Sequence, residues 1–449
     1  MNFLKRFASV MITVMCLGLF SPQTQLLHAQ ENVSPLASEL DATILAKWMQ
    51  LLYDRIEAEG ISAPAASRLY AYAGITAYQS VLPGIPEGIS MSGQLNSMPD
   101  IPYPDPFPDE VEYDWIASAN GALSTVVSGL FPQDATETQR AINTLREREL
   151  GARQRNVDAE IIERSVAYGD LVGESILEWV ADDNFAETRG LEWETLSGDP
   201  SYWVFTNPNM KAVEPYWGQI RPFALYYADA CAVQPNMPFS EERGSAFYQQ
   251  ALEVKTTGDR LTNEQKDIAR FWVDTPGETG TPAGHWVMIE NQMIDVLDLK
   301  LDMASMMYAL VGSALGDSFI SAWSLKYQVN LLRPVTYIQN HIDPRWQPFI
   351  ASPGFPEYPS GHSVVSGAAA EVLTGMFGTV AFTDRSGRRH QLGERSFTSF
   401  EAAASEAAIS RLYGGIHYRS AIENGLRQGR CVGRNVLDYI SLRSQPQGE

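Results

Sequence analysis

Apolar residues recur at helical spacing along most of the chain, and no run shows the sustained one-in-two alternation of a strand with one buried face. Such a chain is confined to packing helix on helix. Ile44, Trp48, Leu51, Leu52 and Ile56 form one stripe, and the segment from Pro64 to Val81, opening on proline and rich in alanine and tyrosine, forms the next helix. Ile162, Val166, Gly169, Gly173, Ile176 and Val180 form another. Its two glycines are compatible with a close helix contact or with simple tolerance of a missing side chain. A long helix is predicted from about Asp302 to Gln328, then helices near Gly361 to Phe377, Phe400 to Tyr413 and Tyr418 to Leu442. The fold class is therefore all-α, a large helical bundle read as two packed four-helix-type bundles.

Three stretches break the pattern. Seven prolines between Pro83 and Pro108 exclude a long helix and predict an ordered surface connection or cover, with helices resuming near Asp109. From Ser201 to Phe223, Tyr202, Trp203, Phe205, Tyr216, Trp217 and Phe223 sit among asparagine, proline and glycine. From Asp274 to His285 the chain is rich in glycine, proline and threonine. Each of the last two stretches rims a pocket or only covers the bundle.

The 449 residues, 45% of them hydrophobic, are enough for one large core. Lys5 and Arg6 precede an apolar run from Phe7 to Phe20, shorter than the roughly 20 residues needed to span a bilayer. That order is that of a secretory signal peptide. The predicted division is 1–29 signal peptide and 30–449 a single helical domain, with 30–300 an N-terminal helical part and 301–449 carrying the chemistry. The mature chain is expected to be periplasmic or secreted, with no membrane association after cleavage, since no later segment reads as long and apolar enough to cross one. Cys231 and Cys431 then remain, either paired or buried and reduced. The net charge of -21 argues against nucleic acid or an anionic membrane as partner. His285, His341 and His390 lack metal-ligand spacing and read as structural or solvated, and no acidic cluster forms a calcium loop.

Three segments in the last third collect what an oxyanion site needs. The first runs from Lys326 to Arg333-Pro334, the second is Pro359-Ser360-Gly361-His362, and the third is Ser410-Arg411 followed by His417. Lys326, Arg333 and Arg411 supply positive charge, and the guanidinium groups can make paired hydrogen bonds to anion oxygens. Ser360 offers a hydroxyl. Gly361 lets a backbone N–H approach closely at what reads as a helix start. His362 can give or take a proton, which leaves His417 to attack or ligate the central atom. Asp317, on a stripe with Met303, Met307, Leu310 and Ala314, is expected to need a buried cation as partner, Arg411 or Arg333.

Those three segments resemble the superfamily that joins vanadium haloperoxidases to type 2 phosphatidic acid phosphatases and bacterial acid phosphatases. Its signature is Lys, six residues, Arg-Pro; then Pro-Ser-Gly-His; then Ser-Arg, five residues, His, and all of it stands between Lys326 and His417. The resemblance implies a helical bundle with vanadate ligated by His417, its oxygens held by Lys326, Arg333, Ser360, Gly361 and Arg411. Lys326, His362 and His417 would be the catalytic residues. It also implies halide-side positions at Trp323 and Phe355, and hydrogen peroxide, halide and small organic acceptors as reactants. One departure stands out: Ala421 occupies the position where the family often has an aspartate that orients the histidine, and Glu423, on another helical face, is not expected to replace it. Some 300 residues of helical sequence before the first motif, and the absence of evident membrane helices, favour a haloperoxidase over the phosphatases. The expected halide is iodide first, bromide second. The alternatives are an exported acid phosphatase with His417 as nucleophile and a non-catalytic phosphate-binding protein.

Overall fold

The computed structural model describes residues 33–444; the signal-peptide expectation for Met1 to Ala29 lies outside them. Among the described residues the helices are α1 (Thr43–Ala58), α2 (Ala63–Val81), α3 (Trp115–Leu130), α4 (Thr136–Arg153), α5 (Ala159–Ala181), α6 (Phe185–Thr188) and α7 (Ala246–Asp259). They continue with α8 (Asn263–Phe271), α9 (Thr281–Val296), α10 (Leu301–Val329), α11 (Pro334–His341), α12 (Gly361–Phe377), α13 (Phe400–Tyr413) and α14 (Arg419–Tyr439). The all-α expectation holds. A small antiparallel hairpin, β1 (Phe382–Asp384) with β2 (Arg395–Phe397), is the exception the periodicity did not show.

Local chemistry starts these helices where they start. The Ser62 hydroxyl accepts from the Ala65 N–H and proline follows in the first turn of α2, while the Asp114 carboxylate accepts from the Ala117 N–H of α3. Pro282 in the first turn of α9 does the same, so the last part of the irregular stretch from Asp274 to His285 is helical from Thr281 onward.

Helix α10 organises the molecule. It packs along α2 on one side and against α12 and α14 on the other, so one group of helices, α1, α2, α3 and α5, and a second, α12, α13 and α14, share it. By length and composition Leu301–Val329 is apolar enough to cross a bilayer, which corrects the expectation that no later segment is. Instead, 94% of its most apolar window is buried by the neighbouring helices. Glycines allow the closest of these contacts. A Cβ on Gly74 would lie 2.1 Å from the Tyr308 carbonyl oxygen of α10, and one on Gly429 would lie 2.1 Å from the Val364 carbonyl oxygen of α12. In the α5 stripe, Gly169 faces the Ser118 carbonyl of α3 equally closely, so there too the glycine serves a helix contact.

The aromatic stretch from Ser201 to Phe223 covers the bundle, with Trp203, Trp217 and Phe223 buried, and also reaches the site through Val213. Asp317 holds it in place. Its carboxylate accepts from the backbone N–H groups of Phe223, Ala224 and Leu225 at 2.6, 2.8 and 2.8 Å. The predicted pairing of Asp317 with Arg411 or Arg333 is therefore wrong: three aligned N–H dipoles do the work expected of a cation. Cys231 and Cys431 form a disulfide, Cα atoms 5.7 Å apart, tying the segment after this stretch to α14.

Candidate active site

The three motif segments converge at one end of α10. Lys326 lies in its last turn and Arg333 precedes α11, while Ser360 caps α12 and is followed by Gly361 and His362. Arg411 stands in the last turn of α13, and His417 in the short connection to α14. All except His362, which is partly open, and Gly361, which has no side chain, carry buried polar side chains.

His417 is the centre of the arrangement. Its Nδ1 lies 2.9 Å from Glu357 Oε1, and the same oxygen accepts from the Tyr418 N–H at 2.9 Å. Its Nε2 lies 3.2 Å from Arg333 Nη1, a group that can only donate. The proton therefore sits on Nδ1, and the Nε2 lone pair accepts from Arg333 Nη1. Burial, reinforced by Arg333, Lys326 and Arg411, pushes the imidazolium form well below the usual histidine range, so the ring is neutral. Burial also raises Glu357, to about 7, against the pull of Arg333, the Tyr418 N–H and Lys326.

The cations around it are spoken for mainly by carbonyls. Arg333 donates to the Phe355 and Ile416 carbonyls, both at 2.9 Å, and its Nη2 has no partner. Lys326 donates to the carbonyls of Pro356, Glu357 and Pro359, and burial, then Arg333, pushes it well below the usual lysine range. Arg411 donates to Ser410 Oγ and to the Trp272 carbonyl. Burial lowers both arginines only to about 10, so each remains a cation. Ser360 Oγ accepts from the N–H and the hydroxyl of Ser363, which leaves its own O–H to donate. Gly361 is a cradle: a Cβ there would lie 3.2 Å from the Trp323 ring.

A cavity of about 260 Å³ opens onto this cluster, lined by His362, Arg411, His417 and Gly361 on the polar side and by Trp323 and Phe355 on the apolar side. Lys326, Arg333 and Ser360 stand beside residues that line it: Arg333 Nη1 is 3.2 Å from His417 Nε2, and Ser360 directly precedes Gly361. The Trp323 and Phe355 rings are 4.9 Å apart, and Lys326 Nζ lies 5.6 and 5.0 Å from their centroids. Asp317 is held by backbone N–H groups on the aromatic cover and hydrogen-bonds none of the motif residues.

Residues 306–445 match the family model described as the VCPO second helical-bundle domain. A solved bacterial vanadium-dependent iodoperoxidase is 35% identical, with the match covering 91% of this chain and 98% of that one at a TM-score of 0.84. The chain belongs to the vanadium-dependent haloperoxidase family. Bacterial vanadium-dependent chloroperoxidases in holo and apo form, 15% and 14% identical, cover 85% and 83% of this chain and 93% and 91% of theirs, with TM-scores of 0.65 and 0.62; that likeness is one of fold. No curated protein matches the chain. In this haloperoxidase Ala421 is buried and Glu423 points to solvent near Arg419, so neither orients His417. Glu357 does, and the sequence reading missed it. The available signal was a carboxylate flanked by Pro356 and Pro359, three residues before Ser360 in an otherwise apolar stretch.

Proposed function

We propose that this chain is a vanadate-dependent peroxidase that oxidises halide with hydrogen peroxide, iodide ahead of bromide, His417 being the ligand to vanadium. The observation that carries the reading is the His417 tautomer: Nδ1–H on a buried carboxylate and an unprotonated Nε2 beside the Arg333 guanidinium, the form a ligating imidazole requires. The surroundings fit an oxyanion. Arg333 and Arg411 are buried cations and Lys326 is a buried donor beside them, N–H groups from which the oxygens of an anion would accept. Arg333 Nη2 and His362 Nε2 are buried without partners. Among the described residues no group of three or more His, Cys, Asp or Glu could hold a bare metal cation.

Bound vanadate would supply a Lewis-acidic centre that polarises a peroxide oxygen toward attack by halide. The chain's own residues do the rest. Arg333 and Arg411 would balance the oxygens' charge, with Lys326, the Ser360 hydroxyl and the Gly361 N–H as further donors. His362, pushed well below the usual histidine range by burial and then by Arg411, is neutral and can take a proton from incoming peroxide. Trp323 and Phe355 present an apolar wall to the halide. A halide must shed water to reach it, and iodide, the largest and least strongly hydrated of the three, sheds it at least cost. The iodoperoxidase among the similar structures supports iodide as the halide. Small organic acceptors would take up the hypohalous acid formed. The reading extends to an export compartment for the mature chain, supported by the Cys231–Cys431 disulfide.

With vanadate supplied, kcat/KM should fall from iodide to bromide and vanish for chloride; efficient chloride turnover would overturn the halide assignment. A second reading, phosphate-ester hydrolysis by vanadate-free protein, is favoured by Glu357. Ala421 stands where the family often has an orienting aspartate, and Glu357 orients His417 in its place.

A further inference from the structure

Behind the site lies a histidine that the chemistry above does not use. His285, buried on α9, has Nδ1 at 3.0 and 3.2 Å from the two Asp274 oxygens, Nε2 at 2.8 Å from Asp384 Oδ2, and Ser386 Oγ 3.0 Å from that Nε2. A neutral imidazole carries one N–H and cannot donate to carboxylates on both edges. The ring is therefore an imidazolium: burial opposes the charge, but Asp274 and Asp384 outweigh it and raise His285 to about 10. Trp272 stacks on its face, centroids 4.2 Å apart.

The same turn meets the site from its other side. Asp274 Oδ2 is 3.8 Å from the unpartnered His362 Nε2, the Asp274 charge faces Arg411, and the Trp272 carbonyl accepts from Arg411 Nη2. Asp274 holds a positive φ of 49°, a conformation that needs support from its surroundings. We propose that His285, backed by Asp384, is a positioning residue for His362 and Arg411, acting through the Trp272–Asp274 turn that it pins in place. This rests on the proposed role of His362 as proton acceptor.

The groups facing His362 are Arg411 of α13, His285 of α9, Lys326 of α10, His417 before α14, and Asp274 with the Trp272 carbonyl of the turn. Removing the His285 cation takes away one opponent of His362 protonation and leaves Asp274 uncompensated. Removing the Asp274 charge does the reverse. A purely structural role predicts no such opposition of sign.

The test follows labelled histidine side chains by NMR in vanadate-free protein, and iodide turnover in vanadate-loaded protein. His285→Phe and, as a milder neutral replacement, His285→Gln should raise the His362 midpoint by about one pH unit. Asp274→Asn, with asparagine well suited to positive φ, should lower it. The His285 variants should also lose about tenfold in kcat. Folded His285 variants with wild-type His362 titration and kcat within about twofold would overturn the proposal. Should neither fold, Asp274→Asn decides alone, an unmoved His362 overturning it. Wild-type protein inert toward iodide would instead sink the proposed function, since the NMR titration reads the positioning without any turnover.

Discussion

Glu357 shows how one side chain decides what a histidine can do. By accepting the Nδ1 proton of His417 it fixes the lone pair on Nε2, and a neutral acceptor would do so less firmly. Glu357→Gln should weaken vanadate binding by about 10–100-fold, read by titration of the vanadate-free protein. The convergence of Lys326, Arg333, Arg411 and His417 was legible in the sequence because each lies in a short segment whose residue types and spacing are chemically specific. Glu357 was not, because its partner is 60 residues away and only the fold brings the two together. His285 makes the same point, reading as a lone histidine until Asp274 and Asp384 surround it. Its folded value, about 10, lies above its ordinary 6.5, so the stability it contributes is complete below about pH 6.5 and is lost as pH rises through about 10. Thermal denaturation of wild type should therefore fall across that window, and in a folded His285→Phe variant the slope should flatten.

At the level of elements, helices were readable and their covers were not. The periodicity of α1, α2, α5 and α10 is a property of each segment alone, so the expected stripes match the observed helices closely. The stretch from Ser201 to Phe223 has no period. Its course depends on Asp317 of α10, whose acceptors' partners are backbone N–H groups that every non-proline residue carries and no sequence pattern marks. Asp317→Ala would leave the buried N–H groups of Phe223 and Leu225 and the partly buried one of Ala224 without an acceptor, at about 1–3 kcal/mol each. Urea denaturation should show a loss of at least about 3 kcal/mol; a loss under about 1 kcal/mol would mean that the cover is held by its aromatics alone.

Across the whole molecule, a helix shared between two groups of helices brings residues from distant segments to one cavity. Composition alone makes α10 resemble a membrane span, and the helices packed around it bury 94% of its most apolar window. The disulfide closes a loop of sequence separation 200, so replacing Cys231 and Cys431 by serine should cost about 2–5 kcal/mol, seen as a lower Tm under oxidising conditions. The measurement that bears most directly on the account is iodide oxidation by hydrogen peroxide, run on purified wild-type and His417→Ala protein before and after orthovanadate is added. Turnover is expected from the wild type only with vanadate, and none from a folded His417→Ala protein; vanadate-independent turnover, or full activity without His417, would contradict a vanadate site ligated by His417.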